Sequence, residues 1–152
     1  MDPTGILDLR KGILFYIIGP LLFFLSLLPL IGGRSLQEAY ISLGLLTLFI
    51  IMIFLAIILS LLGLMYTWKG FSKIQDRFNK AIIGKIGTIL VLFGGVGSIL
   101  LGIAYFFLGK ALNNNKVKLG GILFIFPIAS VVGAILIFQG LTQVARQVRL
   151  IQ

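Results

Sequence analysis

The chain has 152 residues, of which 59% are hydrophobic and 11% charged, where an ordinary soluble domain carries about a quarter charged. That balance excludes a soluble globule, and the length leaves room for one domain at most. Cys and His are both absent, which removes disulfides, imidazole bases and the usual zinc, haem and iron–sulfur ligand sets. The only acids are Asp2, Asp8, Glu38 and Asp76, against 13 Lys and Arg, so the composition predicts an embedded, non-catalytic protein without a cofactor.

Four long apolar runs lie between the charges: residues 12–33, 39–68, 81–109 and 119–142. Each reaches the roughly 20 residues that a helix needs to cross about 30 Å of hydrocarbon. None has the period of two or the ~10-residue length of barrel strands, so helices are the expected form. The reading is an all-α integral membrane four-helix bundle in a single domain. The first run is too long for the apolar core of a signal peptide and lacks a cleavage-like site after it.

Between the second and third runs, residues 70–83 form an amphipathic segment. Phe71, Ile74, Phe78 and Ile82 recur at spacings of three and four, with Lys73, Asp76, Arg77 and Lys80 between them. Two readings stand: a helix lying in the headgroup layer, or a continuation of the second helix whose charges are an ordinary flank. The tail repeats the pattern, Val144, Val148 and Ile151 alternating with Arg146 and Arg149. Lys69, Lys73, Arg77, Lys80, Arg146 and Arg149 form the expected basic membrane-surface set, with lipid headgroups as counter-charge.

Orientation follows from the bases. Arg10 and Lys11, the five lysines and arginines of residues 69–85, and Arg146 and Arg149 fall on one side of a four-span topology. Arg34, Lys110, Lys116 and Lys118 fall on the other. The excess puts both termini in the cytoplasm. Tyr66 and Trp68, with Tyr16 and Tyr40, suit an interfacial aromatic belt. The dispersed bases carry no nucleic-acid reading motif.

Inside the runs the small residues are the informative ones, because helices in lipid associate by close backbone approach. Gly12, Gly19, Ser26 and Gly33 recur every seven residues in the first run. Ala56 and Gly63, with Ser60 beside them, do so in the second. Gly94, Ser98 and Gly102 mark the third and Gly133 and Gly140 the fourth. A period of seven is the seam of left-handed bundles. Pro20, Pro29 and Pro127 predict packing kinks, since no polar company suggests a binding site at them. A weak hairpin duplication is one reading of the bases, since Lys11 and Lys73 are spaced 62 residues apart and Lys85 and Arg146 61.

Leu9-Arg10-Lys11-Gly12-Ile13-Leu14-Phe15-Tyr16-Ile17-Ile18-Gly19, Gly70-Phe71-Ser72-Lys73-Ile74, Ile83-Gly84-Lys85-Ile86-Gly87-Thr88-Ile89-Leu90 and Lys118-Leu119-Gly120-Gly121-Ile122-Leu123 together resemble an archaeal membrane-protein family. That family, common in Sulfolobus-like thermoacidophiles, is known as domain of unknown function 973. The resemblance implies a membrane location and an archaeal source, and supplies no activity. No ionisable residue lies deep in any run, which leaves neither a catalytic base nor a proton path. The expected role is an accessory or scaffolding subunit, held against other membrane subunits, of a respiratory complex for instance, or against copies of itself. The alternative is a pore or carrier for a neutral or lipid-like substrate.

Overall fold

The computed structural model describes residues 2–31, 39–93 and 95–149. Among the described residues stand six α-helices and no strand: α1 (Pro3–Ile31), α2 (Ala39–Ile74), α3 (Ala81–Leu90), α4 (Gly95–Ala111), α5 (Asn115–Phe124) and α6 (Ser130–Arg149). Asp2 starts α1 as its N-cap, its carboxylate accepting from the Thr4 amide and hydroxyl, each at 2.8 Å. Pro3 occupies the first helical position, where a missing N–H costs nothing. Pro20, within α1, does not end it.

Helices α1 and α2 form an antiparallel hairpin whose seam is built from small residues. A Cβ on Gly12 would stand 2.8 Å from the Thr67 amide nitrogen and 3.0 Å from the Gly63 carbonyl. One on Gly19 would stand 2.6 Å from Ser60 Oγ and 3.3 Å from the Ala56 carbonyl. The neighbouring hydroxyls turn back on their own helix, Ser60 donating to the Ala56 carbonyl and Thr67 to that of Gly63, both at 2.8 Å. With these hydroxyls satisfied on their own helix, the two backbones can close to contact distance.

The third and fourth apolar runs are not continuous helices. Each folds back on itself, giving a pair of hairpins, α3–α4 and α5–α6. A Cβ on Gly87 would lie 2.9 Å from the Leu101 amide, whereas one straight helix would hold residues 87 and 101 about 21 Å apart. The chain reverses through a 3-10 turn at Val91–Phe93, just ahead of Gly94-Gly95, where paired glycines offer least to a helix. The second reversal contains Pro127, which cannot donate to a continuing helix. Beyond it Gly133 comes back onto α5, a Cβ there standing 2.6 Å from the Phe124 amide.

Between the two hairpins, α4 ends with the Asn114 amide bonded to the Gly109 carbonyl at 2.9 Å and the Asn113 amide to that of Lys110 at 3.3 Å. Asn113 takes φ 48°. This is a Schellman closure with asparagine in the left-handed position usually filled by glycine. Asn114 then caps α5, its Oδ1 accepting from the Val117 amide at 3.1 Å.

The hairpins share a motif. Lys85-Ile86-Gly87-Thr88-Ile89-Leu90 reappears 33 residues on as Lys118-Leu119-Gly120-Gly121-Ile122-Leu123, and residues 84–90 match 117–123 in burial, position for position. The offset carries on into the long helices, where buried Ala104 and Leu108 correspond to buried Ile137 and Leu141. The repeat visible in the fold is therefore α3–α4 with α5–α6, at an offset of 33 residues.

The four short helices gather around one half of the α1–α2 hairpin. Ile6, Leu9 and Ile13 of α1 and Phe71 and Ile74 of α2 join Tyr105, Leu108, Phe124, Ile137 and Leu141 in a single buried core. Tyr16, near the middle of α1, meets Phe124 close to the second reversal, with ring centroids 5.1 Å apart. The molecule thus steps from six helices at one end to two at the other. Along the two-helix half the side chains are apolar and open, Phe24 being 68% and Phe54 65% exposed.

Candidate functional site

The six-helix end collects the charges of the described residues. Lys73 pairs with Asp8 at 2.6 Å and joins the ends of α1 and α2. Lys80, just before α3, stands 3.4 Å from the centroid of the Phe107 ring near the end of α4. Lys118 in α5 lies over Phe106 at 5.8 Å, Lys11 over Tyr66 at 5.4 Å, and Arg10 over Phe138 at 5.8 Å. Lys85 donates to Gln75 Oε1 at 2.9 Å and sits 4.9 Å from the Trp68 ring. These cations rest on aromatic faces of apolar helices, where cation–π attraction holds them.

Because α3 and α5 run out and α4 and α6 return, the α4–α5 turn is brought to the same end as residues 69–85. Lys110, Lys116 and Lys118 accordingly stand with Lys73 and Lys80, and not opposite them as four continuous spans would require. Among the described residues no Lys or Arg lies at the two-helix end; Arg34 and Glu38 lie outside the described residues.

The segment 70–83 is not a separate surface helix. Residues up to Ile74 complete α2, Gln75–Arg77 form a 3-10 turn, and Phe71, Ile74 and Phe78 are buried in the core, while Ile82 is 50% exposed. Its apolar face packs on the protein's own helices, and Lys73, Arg77 and Lys80 point outward from it. Lys69 is exposed beside them at the end of α2, and Arg146 is exposed on α6. The side chains of Tyr40, Arg149 and Val148, and the whole of Ile151, lie outside the described residues. Val144 is buried, so the tail is packed against the bundle at that point.

Most of the described small residues named from the sequence meet other helices of the same chain. Gly12, Gly19, Ala56, Ser60 and Gly63 line the α1–α2 seam. Gly102 lies against Gly121 of α5 and Ile125 just after it, Gly133 against Gly120 and Phe124, and Gly140 against Val117 and Asn114. Ser26 is buried and donates to the Phe23 carbonyl at 2.6 Å, and Ser98 donates to that of Gly95 at 2.7 Å. Gly33 and Gly94 lie outside the described residues. Glycines 87, 97, 109, 120 and 121 make equally close approaches.

Two shallow clefts open at the charged end. One, of about 330 Å³, is lined by Asp2, Pro3, Lys73, Asp76 and Arg77. Its charges offset one another, and the Thr4 hydrogen bonds hold the Asp2 carboxyl below the usual carboxylate range. The other, of about 360 Å³, lies between α1 and α6 and is lined by Arg10, Phe138, Thr142, Ala145 and Arg146. No group of three or more metal-binding side chains occurs among the described residues. Tyr105 is wholly buried between Phe71 and Phe124, and its hydroxyl meets no hydrogen-bond partner.

Residues 92–152 match the model of a family described as a protein of unknown function, DUF973. The matched segment holds α4, α5 and α6, and therefore the basic α4–α5 turn and one wall of the Arg10–Arg146 cleft. Comparison with the curated proteins and with the solved structures finds no match.

Proposed function

We propose that the chain is a non-catalytic integral membrane protein in which the α1–α2 hairpin crosses the bilayer and α3–α6 dip into one leaflet from the basic end. The observation that carries this is the pair of long apolar segments left uncovered by the fold. The most apolar 18-residue stretches of Pro3–Leu27 and Leu46–Arg77 have mean hydropathies of 1.6 and 3.1, with only 28% and 11% of them buried. A core helix of a soluble protein would be covered, and an apolar surface of this extent in water would drive aggregation. The basic end then faces the cytoplasm by the positive-inside bias, together with the amino terminus and the end of α6.

Its role, in this reading, is that of an accessory or scaffolding subunit, within a larger membrane assembly or among copies of itself. The chain's own small-residue seams are used internally, so a partner would meet a different surface. The two reversals supply one: Leu92, Val96, Phe126 and Ile128 are exposed there, Ile128 at 99%, near the level of the α1 midpoint. Irregular backbone at membrane depth persists where protein covers it, and a neighbouring subunit over these turns would do so. An archaeal source, in keeping with the resemblance, belongs to the same proposal.

The test is extraction from native membranes with mild detergent, followed by crosslinking and identification of what migrates with the chain. A stable partner or a defined homo-oligomer supports the scaffold. A lone monomer overturns it, and recovery in aqueous buffer without detergent overturns the membrane assignment itself. Solute flux through reconstituted vesicles would replace the scaffold with a pore or carrier.

A further inference from the structure

We infer that the cleft between α1 and α6 is a binding site for an anionic phosphate, taken from a lipid headgroup or from solution. Its lining residues Phe138, Thr142, Ala145 and Arg146 follow one another along a single face of α6, and Arg10 enters from α1. Among the described residues the two guanidinium groups have no countercharge. Asp8 is engaged by Lys73, Asp2 and Asp76 line the other cleft, and no further acid exists among the described residues. Two like charges flanking one depression repel each other, and a bound anion relieves that repulsion.

The chemistry of the lining narrows the class of anion. A guanidinium presents a planar fork of N–H donors that fits two phosphate oxygens at once. Phe138 lies beneath Arg10 at 5.8 Å, which holds the guanidinium over the cleft, with Ala145 beside it in the lining. The Thr142 hydroxyl donates to the Phe138 carbonyl at 2.7 Å, so its proton is committed and recognition falls to the arginines. A cleft of about 360 Å³ has room for a phosphate with part of its ester substituent. Its position among the belt cations puts it at headgroup height, where basic pockets between helices hold anionic lipids. The site needs the membrane reading only for the lipid source of its phosphate and is independent of the scaffold role.

The experiment uses the full chain in two arms. In the first, the detergent-solubilised protein is melted in inorganic phosphate and in chloride at equal ionic strength. In the second, nanodiscs of phosphatidylglycerol or phosphatidylcholine are used, and lipid retained after extraction is read by native mass spectrometry. Arg10→Gln with Arg146→Gln is expected to lower phosphatidylglycerol retention about 25-fold, fivefold per guanidinium. Lys110→Gln removes a like charge from the end of α4, which packs against α3 and α5, and should change it by less than twofold. Saturable stabilisation by inorganic phosphate that disappears in the double variant assigns the site to free phosphate instead. Unchanged retention in the double variant with no loss of phosphate-dependent stabilisation, or an equal loss in Lys110→Gln, overturns the proposal. Arg10→Lys keeps the charge and loses the fork, so a partial loss in it separates recognition from failure to fold.

Discussion

A single methyl group separates two kinds of glycine in this chain. Gly12 faces backbone atoms of α2, and an added Cβ would stand 2.8 Å from the Thr67 nitrogen, an atom that cannot swing aside as a side-chain end can. Gly44 lies exposed in α2 with nothing within 4 Å of such a Cβ. Gly12→Ala should therefore force the hairpin apart and cost about 1–3 kcal/mol, while Gly44→Ala should gain about 0.5–1 kcal/mol from the lower entropy of the unfolded chain and better helix propensity. Thermal unfolding in one detergent reads both, and equal effects would show that the seam is not closed at Gly12. The small-residue spacing in the first two runs made this contact legible, because period seven is a property of the helix itself. It could not say which helix the stripe would meet, since that depends on the order in which the chain returns.

At the level of elements, one dipeptide does two tasks. Asn113 closes α4 in the left-handed region and Asn114 opens α5, while its Nδ2 also donates to the Gly140 carbonyl of α6 at 3.4 Å. Asn114→Ala should lose the cap, at about 1 kcal/mol, and loosen the start of α5 against α6. Asn113→Gly should gain about 0.5 kcal/mol, because glycine meets no Cβ penalty at φ 48°. Unfolding in denaturant distinguishes the two, and a loss in both variants would mean that the Asn113 side chain has a further role. The position of this turn was legible from Asn113-Asn114-Asn115. The reversals inside the third and fourth runs were not, because a hydropathy window averages over them: one 29-residue apolar helix and two short apolar helices folded together have the same mean. The distinguishing signs were local, Gly94-Gly95 in one run and Pro127 in the other, with the repeated Lys-x-Gly motif ahead of each.

For the whole molecule, the two hidden reversals decide where the charge goes. Each reversal returns the chain to the end it left, so the three lysines of residues 110–118 join the other bases. The cation count then separates the ends far more sharply than the difference of nine to four that continuous spans would give. That separation strengthens orientation, because the bias acts through Lys and Arg in short loops. It also makes the topology easy to test in a chain that has no Cys of its own. Single substitutions Asp76→Cys, Asn115→Cys and Ser35→Cys can each be labelled with a membrane-impermeant maleimide in sealed vesicles of known sidedness. Asp76→Cys and Asn115→Cys should label from the same side, and Ser35→Cys, in the connection between α1 and α2, from the other. If Asn115→Cys labels with Ser35→Cys instead, the third run crosses the bilayer as one helix, the reversals do not form in the membrane, and the cleft between α1 and α6 loses the wall that α6 gives it.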